Sequence, residues 1–116
     1  MKNYTVKQPG GGELTFKGVL LGSATDRPMG CQARTKWNEI DIYRTQKGEY
    51  VVVIFKQSLW QGEEHAFLCK SPEEVKSALD THSRGQGEDN LESAAEKALQ
   101  EAGEKDETLK IILEQY

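Results

Sequence analysis

Trp37-Asn38-Glu39-Ile40-Asp41-Ile42-Tyr43-Arg44-Thr45, then Gln46-Lys47-Gly48, then Glu49-Tyr50-Val51-Val52-Val53-Ile54-Phe55, is the stretch on which the fold turns. Its first segment alternates with period two. Ile40 and Ile42 share a face with Asn38 and Arg44, while Trp37, Glu39, Asp41 and Tyr43 share the other. Gln46-Lys47-Gly48 reads as a hairpin turn, with Gly48 free to take positive φ. The run from Tyr50 to Phe55 is apolar at every position, which suits a central strand covered on both faces. Val51, Val53, Ile54 and Phe55 are its expected core residues.

Working outward toward the N-terminus, Leu14 to Leu21 alternates as a strand, with Leu14, Phe16, Gly18 and Leu20 on one face. Met1 to Val6 reads as a short edge strand, separated from it by the breaker Gln8-Pro9-Gly10-Gly11-Gly12. Between Gly22 and Thr35 periodicity vanishes, which predicts a long loop of the kind that often carries function. Toward the C-terminus, Gln61-Gly62 turns the chain, and His65 to Cys69 makes a last strand. Consecutive strands joined by short turns predict an antiparallel meander of four or five strands.

After Cys69 the period becomes helical. Ser71-Pro72-Glu73-Glu74 carries an N-cap, a first-turn proline and a capping-box glutamate, and Val75, Ala78, Leu79 and His82 form an inward stripe. Ser83 to Glu88 is a link, with a hinge expected at 85–87. A second helix is predicted from Asp89 or Asn90, with the stripe Leu91, Ala94, Ala95, Ala98, Leu99 and Ala102 and a stop at Gly103. Leu109, Ile112, Leu113 and Tyr116 are spaced as a third. The fold class is therefore α+β: a four- or five-stranded meander over 1–70 followed by two or three helices over 71–116, at least one packed on the sheet. A chain of 116 residues fits one such domain.

Charge divides along the same line. Residues 1–62 carry nine lysines and arginines against five acids, a balance of +4; residues 63–116 carry six against fourteen, −8, and the total is −4. Two cysteines, Cys31 and Cys69, lie far apart, and no apolar run has signal-peptide or membrane-span length, so the expected setting is the cytoplasm with reduced thiols and no membrane partner.

No constellation commits the chain to catalysis. Glu39 and Asp41 project from one strand face about 7 Å apart, a separation usable in acid/base chemistry and equally ordinary on a solvated face. His65 and Cys69 are roughly 13 Å apart along a strand, too far for a nucleophile and its base. Cys31, Cys69, His65 and His82 show no close pair of zinc-site spacing. Gly10-Gly11-Gly12 lacks the lysine and hydroxyl of a phosphate loop and precedes a strand. No cofactor or metal is expected. The surface that stands out joins Trp37 and Tyr43 to the basic residues Arg34, Lys36, Arg44 and Lys47, with Lys56 adjoining. Aromatics among cations can stack the bases of single strands, although aromatics on a sheet also pack under helices.

Trp37 to Thr45, with Gly48 and Tyr50-Val51-Val52, resembles the EXLDI family of small bacterial proteins, over about a fifth of the chain. Glu39-Ile40-Asp41-Ile42 lacks one residue of the name-giving pattern. The resemblance implies a bacterial or mobile-element protein without an assigned activity, and carries over no functional residue.

The expected function is that of a small non-catalytic cytoplasmic module recognising a macromolecule, in the first place a protein. Single-stranded nucleic-acid binding through the basic, aromatic half is the alternative, and a hydrolase using Glu39 and Asp41 the third reading. The Ala-rich stripe further suggests a homodimer to which residues 89–116 contribute.

Overall fold

The quoted hairpin forms the centre of a five-stranded antiparallel sheet in the computed structural model of the chain, which describes residues 2–8, 12–25, 36–58, 62–83 and 92–110. The strands are Lys2–Lys7 (β1), Glu13–Thr25 (β2), Lys36–Thr45 (β3), Tyr50–Ser58 (β4) and Gly62–Cys69 (β5), paired in sequence order as a meander. Two helices follow, Pro72–Ser83 (α1) and Glu92–Lys105 (α2), and residues 107–110 are again helical. The α+β architecture is that expected from the periodicities.

The sheet curls, so that its inner face encloses one core while its outer face carries the helices. Ile40, Ile42, Tyr50, Val52 and Ile54 point outward against Val75 and Leu79 of α1 and Ala94, Ala95, Ala98, Leu99 and Ala102 of α2, with Leu109 beyond. Val6, Tyr43, Val51, Val53 and Ala66 point inward, with Tyr4, Leu14, Phe16, Leu20 and Phe55 packed around them. A strand buried on both sides has no polar face to alternate with, which is why β4 is a continuous apolar run. Val51, Val52 and Val53 are fully buried, whereas Phe55, expected in the core, is half-buried between Glu39 and Glu64 in the cross-strand register.

Two boundaries and one cap contact differ from the sequence expectation. The loop predicted from Gly22 begins later, because β2 runs on to Thr25 through a bulge between Leu20 and Gly22. The extra residue shifts the alternation, so that Leu21 and Ala24 both meet the helices; a reading by strict period two loses the strand there. Residues 26–35 lie outside the described residues. Gly103 does not stop α2, since it keeps a helical rather than a left-handed backbone. The helix ends instead at Asp106, whose carboxylate accepts the amide of Thr108 at 3.0 Å and so starts the next turn as an N-cap. Finally, Ser71 caps α1 as predicted, accepting from the Glu74 amide at 3.3 Å, but the Glu74 carboxylate reaches the amide of Lys70 rather than that of Ser71.

The Ala-rich stripe is spent on the chain's own sheet. Among the described residues of the 89–116 segment, Ala94, Ala95, Ala98, Leu99, Ala102 and Leu109 are buried within one copy. Their small side chains let α2 lie close enough for the backbone at Ala98 and Ala102 to meet Gly22. The expected hinge at 85–87 lies outside the described residues.

Candidate functional site

Cross-strand register lays out the inner face in rows, because directly opposed residues point the same way. One row joins Glu39, Phe55 and Glu64; the next Asp41, Val53 and Ala66; the next Tyr43, Val51 and Leu68. The middle is plugged by apolar side chains, one end is lined by carboxylates, and the other end is apolar and open.

At the carboxylate end, Asp41 is tied into a network. Its Oδ1 accepts from Ser23 Oγ at 2.6 Å, and its Oδ2 receives the Tyr43 hydroxyl at 3.4 Å. Burial, then the neighbouring Asp41 charge, raises the Tyr43 hydroxyl well above the ordinary tyrosine range. The Tyr43 ring lies 4.6 Å from that of Tyr4 and 5.4 Å from that of Phe16, centre to centre, so the three aromatics pack on one another. Glu64 accepts the Lys7 amide at 2.8 Å and ties the start of β5 to the end of β1 across the seam of the curl. Among the described residues no group of three His, Cys, Asp or Glu is arranged to hold a metal ion.

At the open end, Leu14 and Phe16 of β2, Thr45, the turn residues Gln46, Lys47 and Glu49, and Leu68 of β5 line a pocket of about 300 Å³. Leu68 is 41% exposed there, a large apolar side chain left in water by the fold itself. The turn is held by the Gly48 amide on the Thr45 carbonyl and by the Glu49 amide on Thr45 Oγ1 at 3.1 Å, with Gly48 at φ 84°.

The sequence-derived surface is divided by this arrangement. Tyr43 points inward and is 7% exposed. Arg44, next to it, points outward, pairs with Asp106 at 2.9 Å and lies 5.7 Å from the Tyr50 ring centre. Lys47 is exposed at the rim of the pocket. Lys36 and Trp37 open β3, and their side chains, like Arg34, lie outside the described residues. Glu39 and Asp41 share the inner face as predicted, both half-buried. Cys69 is buried, and desolvation with the nearby Glu74 charge pushes its thiol up to about 11, away from the range of a reactive thiolate. His82, Cys31 and Trp60 are not among the described side chains.

Sequence reasoning missed the pocket. Leu14 and Phe16 were legible as one face of a strand, but Leu68 joins them only because the sheet curls far enough to bring β5 toward β2. Among the described residues, no helix is long and apolar enough to cross a membrane. Comparison with family models, with curated proteins and with solved structures finds no match for this chain.

Proposed function

We propose that this chain is a non-catalytic recognition module that binds a protein at the open end of its curled sheet. The observation that carries the reading is the pocket, where Leu14, Phe16 and the exposed Leu68 form an apolar floor within a polar rim. An apolar floor inside a polar rim is the form of an anchor site, which takes one large side chain from a partner and excludes water around it. At about 300 Å³ it lies at the small end of ligand-site volumes, the scale of a side chain rather than a large cofactor. At the other end Asp41 is engaged by Ser23 and Tyr43 and Glu64 by the Lys7 amide, and the described thiol is buried. A reducing, cytoplasmic setting accords with that thiol.

The test is affinity capture from native lysate, scored for both protein and nucleic acid, with Leu68→Glu beside Val19→Glu. Val19 is 42% exposed on the outer face and serves as the control for an added surface charge. The expected result is a protein retained by wild type and by Val19→Glu and lost from Leu68→Glu. Capture of nucleic acid that is indifferent to Leu68→Glu would overturn the reading in favour of the basic segment.

A further inference from the structure

We infer that the partner binds as an added β-strand, an extended peptide pairing with the backbone of β2 along Glu13–Phe16 while one apolar side chain enters the pocket. The inference rests on the pocket reading above and specifies the form of its occupant.

The warrant lies in how the strands overlap. β2 is 13 residues long and is paired on different sides along its length. Its first part, Glu13 to Gly18, pairs with β1, from Lys7↔Glu13 to Lys2↔Gly18. Its pairing with β3 begins at Gly18↔Thr45, and the Gln46 amide on the Lys17 carbonyl at 2.7 Å adds one further step before the chain turns away. Glu13 to Phe16 therefore have a strand on one side and, among the described residues, none on the side that β3 has left.

The backbone on that side is directed outward. In an antiparallel strand each residue points its N–H and C=O to the same side, and neighbours alternate. The Lys17 carbonyl faces Gln46, so Thr15 and Glu13 send their N–H and C=O the same way. The β1 side agrees: Thr5 and Thr15 are directly opposed, and their hydroxyls lie 3.2 Å apart, as expected of a non-hydrogen-bonded pair whose side chains are close. Thr15 is exposed, and its outward N–H and C=O meet no strand among the described residues.

This edge differs from the seam of the curl. There the Lys7 amide is capped by the Glu64 carboxylate, one of the ways a sheet edge is closed to other chains. Along Glu13–Phe16 the backbone that no described residue pairs on the β3 side instead lies beside the apolar pocket. Strand addition needs that combination: main-chain hydrogen bonds supply affinity, and a pocket for alternate side chains supplies selectivity. A peptide residue opposite Leu14 shares the face of Leu14 and Phe16, so its side chain falls into the space that Leu68 closes. The antiparallel direction is assigned because it continues the direction of β3 alongside β2.

The probe is a displayed library of linear heptapeptides selected on the full chain, with the best binder synthesised and titrated by fluorescence anisotropy. Each peptide nitrogen is then methylated in turn. Strand addition predicts that methylation at alternate residues weakens binding about tenfold or more, while the intervening residues tolerate it. Leu68→Glu abolishes binding, Thr15→Pro weakens it, and the Thr15 amide slows in hydrogen exchange when the peptide binds. The methylation scan leaves the protein unaltered, so it decides the matter even where Thr15→Pro disturbs the sheet. Binding that is lost in Leu68→Glu but indifferent to every methylation overturns strand addition and leaves the pocket reading standing. A library that yields no binder sensitive to Leu68→Glu overturns both.

Discussion

Tyr50 donates its hydroxyl to Asp106 across 3.0 Å, joining the first residue of β4 to the residue at which α2 ends. The same Asp106 oxygen accepts from Arg44 at 2.9 Å, and its other oxygen accepts the Thr108 amide. One buried carboxylate thereby fixes the end of α2, the start of the next helical turn and the outer face of the sheet. Burial alone would raise the Asp106 carboxyl, but the hydrogen bonds from Tyr50 and Thr108, with the Arg44 charge, outweigh it and hold it below the ordinary carboxylate range.

Asp106→Ala is expected to lower stability by about 2–3 kcal/mol, because it leaves a buried tyrosine hydroxyl and a helix N-terminus without their acceptor. Arg44→Ala should cost less than about 1 kcal/mol, since its side chain is 46% exposed and the pair is partly screened. Urea unfolding of both variants tests the ranking, and an equal loss would remove Asp106 from its role as anchor.

The same network sets an acid dependence. A carboxyl whose folded value lies below its unfolded value contributes stability above the unfolded pKa of about 4, and that contribution fades as pH falls through the folded value. Wild type should therefore lose more stability between neutral pH and strong acid than Asp106→Asn. Midpoints of urea unfolding along a pH series measure the difference.

At the alkaline end the sign reverses. Tyr50, like Tyr43, is raised above the ordinary tyrosine range, in Tyr50 by burial and then by the bond to Asp106. Both hydroxyls favour folding while neutral, and that contribution is lost as pH climbs above the unfolded value of about 10. Absorbance at the phenolate band should show them ionising late or together with unfolding, and Tyr43→Phe should remove one of the late steps.

Gly22→Ala should destabilise by about 1–3 kcal/mol, the range for overpacking. An added Cβ would lie 2.3 Å from the Ala98 carbonyl oxygen and 2.7 Å from the Ala102 amide nitrogen, both helix backbone that moves only if α2 moves. Gly48→Ala should cost about 1 kcal/mol for a different reason, its φ of 84°, since nothing lies within 4 Å of the added carbon. Amide exchange separates the two: faster exchange across α2 is expected for Gly22→Ala and only local change at the turn for Gly48→Ala.

Cys69 should resist alkylation at mildly alkaline pH until the protein unfolds, because its thiol is buried and pushed up to about 11. Peptide-resolved mass spectrometry with and without denaturant reads this directly. Rapid native labelling of Cys69 would contradict its packing beneath α1.

Much of this protein is written in local periodicity. Period two from Lys36 to Thr45, the apolar run of β4 and the turn at Gly48 determined the central hairpin; Ser71-Pro72 marked where strands give way to helices, and the stripe from Ala94 to Ala102 marked the buried side of α2. These features are legible because each depends on residues close in the chain, through backbone geometry and the burial of one face. The partition of Tyr43 and Arg44 was legible in the same way, since neighbours on a strand point to opposite faces.

What lay beyond the sequence depends on distance along the chain and on curvature. The bulge at Leu20–Gly22 restored the core-facing alternation that appeared to end there, and Asp106, which reads as one more acid in an acidic tail, gained its role from Tyr50 and Arg44, 56 and 62 residues away. The pocket needs Leu14, Phe16 and Leu68, whose separation in sequence is closed only by the curl of the sheet. The edge at Glu13–Phe16, unpaired on the β3 side among the described residues, follows from the offset between the end of β3 and the start of β2. Sequence alone determined which segments are strands and helices and which face of each is apolar, because those are local balances of propensity and burial. The tertiary structure decided which apolar residues stay exposed and which backbone stays unpaired, because both follow from register and curvature summed over five strands.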